Sequence, residues 1–521
     1  MAIKKKVELS DVPKARLPKK MADSTERELM RREELLDVLA TLGGRGVKDE
    51  DVLYKGKTLV LPERWQGDLN QAIEFLVTKR DEDEEMSSFV RVYNFRPWDG
   101  AYNAFQAMKK VFGMVSGQTI RTMFGSKPPT YIQVPVSVVE TEEVPWGKFS
   151  VPLLEDTSIW FGQDESPDFG SVFMMRVDTP RKNKFIVEGL FLAVQSELEQ
   201  NSIYRGKAID GQVQPQFIDL RGFDESKVVY SEQVRSDLES SIWGLMRYTN
   251  ANRKLGLPLK RAVVLSGPYG TGKTLAGFRT AIEATGAGWT FIMARPGRDS
   301  FVDVMQTARL YQPCCVFMED AETIASAERN DSISQLLDVF DGIQSKNTSL
   351  IVVLTTNHAE SLHKGMMRPG RIDQFIDIGA LDAEGIKKLF KANIQESRLS
   401  NDIDWDKVIA ACDGYLPAFI KEAADRAVRY ALVRQKGDTR NICLTTDDLV
   451  YAAGGLRGQY NRMQDAPEHS TADSLAEAFQ YLIASASKKS IVELATKPKQ
   501  EMVNSSVWDI QALTKAQDGD Q

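Results

Sequence analysis

Eight consecutive residues, Gly267-Pro268-Tyr269-Gly270-Thr271-Gly272-Lys273-Thr274, have the chemistry of a phosphate grip. A glycine, four residues, a second glycine, a lysine and a hydroxyl let backbone amides cradle the phosphates of a nucleotide. The lysine reaches the β and γ groups, and the hydroxyl ligates Mg²⁺. Leu275, next in the chain, joins the candidate nucleotide contacts. Val263-Val264-Leu265 reads as a buried strand entering the loop, and Thr274 to Ala284 has a helical pattern leaving it. Strand, glycine-rich turn and helix in that order aim the positive end of a helix at an anion. A Gly-rich surface turn with a chance lysine would lack both flanking elements.

Further along, Cys314-Cys315-Val316-Phe317-Met318 reads as a buried strand ending in Glu319-Asp320. Carboxylates at such a strand tip can hold Mg²⁺ through water and polarise a second water for attack on a γ-phosphate. The next apolar strand, Leu350-Ile351-Val352-Val353-Leu354, runs into Thr355-Thr356-Asn357, where Asn357 is a neutral amide suited to orienting that water. Met366-Met367-Arg368-Pro369-Gly370-Arg371-Ile372-Asp373 then sets two arginines around Pro-Gly. Taken singly, Arg368 or Arg371 reads as a solvated charge and Asn357 as a turn residue. The order of all these pieces along one chain is far more specific.

From about Val228 to Gly455 the chain resembles the AAA ATPases, in the branch whose second region of homology carries paired arginine fingers. Leu336-Leu337 with Phe340-Asp341-Gly342-Ile343, Pro313 before the acidic strand, and the Arg-Pro-Gly-Arg box match in order and spacing. The resemblance implies a homo-oligomeric ring, usually a hexamer, with ATP and Mg²⁺ at each subunit interface. It implies that Lys273 and Thr274 act in cis, while Arg368 and Arg371 reach the neighbour's nucleotide. Planar guanidinium groups suit the spread charge of a phosphoryl-transfer transition state. Gly414-Tyr415-Leu416-Pro417-Ala418 falls where the family's helical lid closes over the nucleotide, with no arginine at that lid position.

Two features depart from the family pattern. The usual acidic pair is Asp then Glu; here it is Glu319 then Asp320, the order familiar in the AAA assembly factors of mitochondrial complex III. The exchange displaces each carboxylate by about 1.5 Å, and a shift of that size can cost on the order of a hundredfold in rate. Glu319 is assigned to Mg²⁺ beside Thr274 and Asp320 to the water, with slow turnover; Glu322 is the alternative base. The second departure follows Phe291-Ile292-Met293. Protein-threading rings carry a longish segment there with an aromatic-apolar-glycine tip, whereas Ala294-Arg295-Pro296-Gly297-Arg298-Asp299 is short, basic and without an aromatic. Phe301 is expected on the next helix. This favours a ring acting on folded partners, or one whose lumen contacts nucleic acid; a plain turn with solvated arginines weighs as much as both together.

The elements that position these residues form an expected α/β architecture. It is a P-loop AAA+ module, a parallel sheet with helices on both faces, plus a helical lid, preceded by an α+β N-terminal domain. The expected divisions are a flexible basic arm and short helix over 1–86, with Thr25 and Glu28 as a capping box and the acidic run Asp81 to Glu85 as a boundary. An α+β substrate or partner domain spans 87–220, the nucleotide-binding domain 221–379, the lid 380–456, and a helix with a polar tail 457–521. In the α+β part, Ile132, Val134, Val136 and Val138 alternate as a half-buried strand. Val172–Val177 and Phe185–Val187 are expected to form a hairpin with a basic tip at Pro180-Arg181-Lys182-Asn183-Lys184. Ser231 caps a helix through Val234, Leu238, Ile242 and Leu245, and Leu475 to Ile483 reads as a late helix.

Composition sets the outer bounds. The chain has 521 residues, enough for two or three domains, and its 42% apolar content can fill their cores. A net charge of −7 argues against a globally basic nucleic-acid binder. Four cysteines, two of them adjacent in an apolar run, and three scattered histidines make neither a disulfide framework nor a metal spacing. No membrane span or secretory signal is read, so a cytoplasmic protein is expected. The reading is an ATP-hydrolysing ring that remodels or assembles a protein or nucleoprotein partner. Alternatives are a nucleic-acid-directed motor and an ATP-gated scaffold that scarcely hydrolyses.

Overall fold

The computed structural model describes residues 69–112, 120–122, 125–151, 156–295, 297–320, 348–358, 372–439 and 442–465, with short pieces between 38 and 60 and residue 154. The capping box, Glu322, Leu336–Ile343, Arg368, Arg371 and Leu475–Ile483 lie outside the described residues. Within 1–86, β1 (Leu53–Lys55) and β2 (Thr58–Val60) pair antiparallel, which the sequence did not suggest. The acidic boundary is also corrected: α1 (Leu69–Glu84) runs through it and leads to β3 (Met86–Tyr93). Opposite charges four apart, such as Arg80 and Glu84 at 3.4 Å, suit a solvated helix better than a linker.

The α+β region continues with α2 (Pro97–Phe112), β4 (Ile120–Thr122), β5 (Gly125–Lys127), β6 (Thr130–Pro135), β7 (Thr141–Ser150), β8 (Ser158–Ser166), β9 (Gly170–Pro180) and α3 (Lys184–Asn201). Strands β3-β9-β8-β7-β6 form an antiparallel sheet on which α2 and α3 pack. β6 stops at Pro135, so Val134 is buried while Val138 stands in the exposed turn beyond. The expected basic-tipped hairpin is not formed. Residues Arg181–Asn183 make a single 3₁₀ turn, and Phe185–Val187 open α3. Val187, Leu190, Phe191, Val194 and Leu198 are buried at helical spacing, and that burial overrides the strand preference of Phe-Ile-Val.

A six-stranded parallel sheet follows. Its strands are β10 (Ala208–Asp210), β11 (Arg261–Ser266), β12 (Thr290–Ala294), β13 (Cys314–Met318), β14 (Leu350–Thr356) and β15 (Gln374–Asp377), in the order β10-β12-β13-β14-β11-β15. Intervening helices are α4 (Glu232–Leu238), α5 (Gly244–Arg247), α6 (Thr249–Lys254), α7 (Lys273–Gly286) and α8 (Phe301–Leu310). Ser231 Oγ caps α4 as expected, accepting from Val234 N. Alternate strand residues feed two cores: Val263, Leu265, Phe291 and Phe317 pack with the α4–α5 segment and α7. Val264, Ile292, Val316 and Val352 pack on the other side with α8. Burial on both faces is why these strands read as unbroken apolar runs.

The second core does not end at the sheet. It is continuous with Phe95, Phe105, Phe173 and Leu190 of the α+β region. Arg96, only 1% exposed, links the two. Its guanidinium donates to Thr307 Oγ1 at 3.0 Å, to Asp303 O at 3.0 Å and to Ser171 O at 3.0 Å, and its backbone N donates to Tyr311 Oη at 2.9 Å. With β10 paired to β12 ahead of residue 220, the expected boundary there coincides with no break in the structure.

After β15 come α9 (Ala383–Asn393), α10 (Trp405–Ala411), α11 (Pro417–Arg434) and α12 (Thr446–Gly454), the expected helical lid. Among the described residues this part holds one isolated bridge, Leu399 to Leu444, and no strand. Residues Gly454–Gln521 form a separate unit, in which α13 (Arg457–Asp465) is described. No described helix is long and apolar enough to cross a membrane.

Candidate functional site

β11 delivers the chain to Gly267, where a Cβ would lie 2.1 Å from the carbonyl oxygen of Ile378. Only glycine fits, because the loop must turn against the neighbouring β15 segment. Gly270, at φ 85°, faces the lid: a Cβ there would stand 2.8 Å from that of Ala418. Ala418 N donates to Gly270 O at 3.0 Å, so the first turn of α11 rests on the glycine loop. Thr271 is buried and pins the loop by donating to Pro268 O at 3.0 Å. Lys273 is also buried; its Nζ lies over the loop and donates to Pro268 O at 3.0 Å. Tyr269, Thr274 and Leu275 are exposed toward the same cleft.

Across the cleft, β13 ends with Glu319 N donating to Ala294 O at 3.2 Å, one step beyond the regular ladder. Asp320 then leaves the strand direction at φ 45°, a left-handed conformation that is costly for a residue with a Cβ. Two hydrogen bonds hold it there. Its N donates to Thr355 Oγ1 at 3.1 Å, and its Oδ1 accepts from Asn357 Nδ2 at 2.9 Å. The tips of β13 and β14 thus join the carboxylate and the amide that the sequence singled out.

Glu319, Asp320, Asn357 and Gly270 to Leu275 line one cavity of about 450 Å³, together with Lys227, Val228, Val229 and Tyr230 from before α4 and Pro417, Ala418 and Lys421 of the lid. The Thr274 hydroxyl and the Glu319 carboxylate are hard oxygen donors facing this space, which fits a divalent magnesium ion. Sequence reasoning missed Tyr230 and Lys421. Tyr230 Oη donates to Gly272 O at 2.9 Å, and burial raises its phenol well above the usual range. Its place directly before the Ser231 cap was the available signal: an aromatic there meets the glycine loop.

The basic turn after β12 is tied down. Arg298 Nη2 lies 2.9 Å from Asp210 Oδ2 and its Nε 3.1 Å from Asp299 Oδ1. Asp299 Oδ2 accepts from Arg295 N at 2.8 Å. Arg298 remains exposed, as a solvated arginine would be, but β10 supplies it with a carboxylate that the local sequence does not contain.

Comparison with known proteins agrees with this geometry. Residues 263–380 match the family described as ATPase family associated with various cellular activities (AAA). The ATP-dependent zinc metalloprotease FtsH of Cupriavidus metallidurans is 28% identical over 237 residues, covering 42% of this chain and 35% of its own length. FtsH 3 of Synechocystis sp., another ATP-dependent zinc metalloprotease by name, is 27% identical over 278 residues, 48% of this chain and 44% of its length. The Helicobacter felis protein of the same name as the first is 26% identical over 305 residues, 53% of this chain and 46% of its length. The chain thus spans less than half the length of these relatives. The glycine loop on β11, the acidic tip of β13 and the amide tip of β14 all fall inside the matched segment, so residues 263–380 have the sequence and the geometry of an AAA ATPase domain.

Proposed function

We propose that the protein is an ATP-hydrolysing ring that remodels or assembles a macromolecular partner recruited by its α+β region. The Asp320–Asn357 hydrogen bond is the observation that supports this most directly. It holds a base and a water-orienting amide as one unit facing the glycine loop. In this reading the loop amides and Lys273 bind the phosphates, and Thr274 and Glu319 hold Mg²⁺. When bound, Mg²⁺ would offset the charge of the phosphates. Asp320 accepts the proton of the attacking water and Asn357 fixes its direction. Arg368 and Arg371 of the neighbouring copy spread the charge of the transferring phosphoryl group.

Action on a folded partner is favoured over threading by the turn after β12. Arg298 and Asp299 bind it to β10 and to itself, so it lacks both the length and the freedom of a gripping loop. The same carboxylates offset its charge, which counts against a nucleic-acid-directed motor. Asp320→Asn is expected to bind ATP with near wild-type affinity while turnover falls by about a hundredfold or more. Arg368→Ala with Arg371→Ala should lose turnover similarly yet still bind ATP. Steady-state phosphate release and nucleotide titration check both; full activity in either variant overturns the assignment. Capture by the Asp320→Asn trap of a partner that the trap lacking the α+β sheet contacts still captures would remove recruitment from that region.

A further inference from the structure

The antiparallel sheet of the α+β region ends on β3, which among the described residues pairs with β9 alone. Arg181 N donates to Glu85 O at 2.9 Å, and at the far end Phe173 N donates to Phe95 O at 2.9 Å. These two bonds fix the alternation of the ladder, in which the odd-numbered residues of β3 turn their backbone groups toward β9. Met86, Ser88, Val90 and Val92 therefore direct N–H and C=O out of the open side. Their side chains are exposed as well, Met86 by 56%, Val90 by 53% and Val92 by 42%. Open edges of this kind are ordinarily guarded by a charge, a proline or a bulge. The opposite edge, β6, follows Pro128-Pro129 and ends on Pro135. β3 has no such guard: its register is unbroken from Met86 to Tyr93, and its outward residues carry no charge. Arg91 lies on the other face, where it donates to Glu188 Oε2 at 2.9 Å and stands 5.0 Å from the centre of the Phe191 ring.

An extended backbone laid along this edge would meet side chains on both faces. On the helix side, α3 leaves Phe185 and Leu192 exposed, two turns apart and flanking the Glu188 that holds Arg91. On the other side, Val92 stands beside Met174, and the Trp160 ring lies flat on Gly162, where a Cβ would come within 2.3 Å of it. Charge enters there opposite Val90. Asp178 faces two cations, Arg176 Nε at 2.7 Å and Lys148 Nζ at 3.5 Å, so this cluster keeps one positive charge in excess.

We propose that β3 takes up an extended segment of the partner protein as a further strand, through backbone hydrogen bonds to Ser88, Val90 and Val92. The segment is apolar at the alternate residues that face Phe185 and Leu192, and β-branched or acidic at those beside Val90 and Arg176. The inference rests on the recruitment reading given under Proposed function and names what is recruited. A second copy of β3 would bring a second excess of positive charge to the same face, whereas an acidic segment offsets the one already there.

Selection on the full chain from a displayed library of random peptides as long as β3 tests this. Enriched peptides should carry the stated alternation. N-methylation of one alternate set of their residues should abolish binding, and of the other set should leave it. Val90→Pro removes an outward N–H without touching the ladder to β9, and should weaken peptide binding by more than about tenfold. Val90→Lys, which adds the missing guard, should weaken it likewise while ATP turnover stays at the wild-type rate. No enrichment, or peptides whose affinity survives both substitutions, overturns the edge assignment. So does equal tolerance of both N-methylated sets. Peptides that match a stretch of this chain, or dimers on sedimentation that Val90→Lys abolishes, would make the chain its own occupant and overturn the partner. Peptide titrations are made without nucleotide, so failure of the ATPase assignments leaves their outcome intact, and failure of the edge leaves the ATPase assignments standing.

Discussion

Asp320 and Tyr230 illustrate how far single residues could be read without coordinates. Asp320 was legible because a carboxylate after five buried strand residues has one place to be, at the strand tip. Its left-handed backbone and its bond to Asn357 were not, since both depend on β14 lying beside β13. Tyr230 was silent because its partner is a backbone carbonyl 42 residues away in the loop. Gly272 O also accepts from Ala276 N at 3.0 Å, so Tyr230→Phe leaves no orphaned acceptor. The variant should lose about 1 kcal/mol of loop restraint, or about fivefold in ATP affinity, with a smaller change in turnover. Isothermal titration with ATP checks this; unchanged affinity would mean that the phenol merely fills space.

Elements with burial on both faces were the most legible. β11 to β14 read directly, as did the α4 cap, because their residue patterns answer to a local rule. Elements whose state is decided by distant packing were not. α3 was mistaken for a strand because Phe185-Ile186-Val187 favours extended backbone, and the residues that override it lie up to Leu198. β10 is three residues long and is held between β12 and an antiparallel bridge to Phe217, pairings that its own sequence does not announce. The same holds for the seam at Arg96, which no motif announces. Arg96→Ala should destabilise the protein by about 3 kcal/mol, because Thr307 Oγ1 and the carbonyls of Asp303 and Ser171 lose a buried donor. A urea denaturation series would show the midpoint falling; a midpoint unchanged from wild type would mean water replaces the guanidinium without loss.

For the molecule as a whole, the least visible quantity in the sequence was how stability responds to acidity. Asp99 is fully buried, and desolvation pushes its carboxyl up to about 6 despite hydrogen bonds from Ser202 Oγ at 2.6 Å and Ile203 N at 3.0 Å. A folded-state value above the unfolded one means the native chain binds more protons between the two. From this group, stability therefore falls as pH rises from about 4 to about 6 and is flat above. Asp99→Asn should remove that slope, seen as a difference between variant and wild-type melting temperatures that grows across this window. Parallel curves would mean that Asp99 stays charged throughout. Sequence composition could bound size and charge, yet not the merging of the α+β region with the nucleotide sheet. That merger has a mechanical result. With Arg96 riveted to α8 and β10 zipped to β12, no hinge separates the two among the described residues, so any tilt of the sheet would swing the N-terminal body through the same angle, as a handle turns with its shaft.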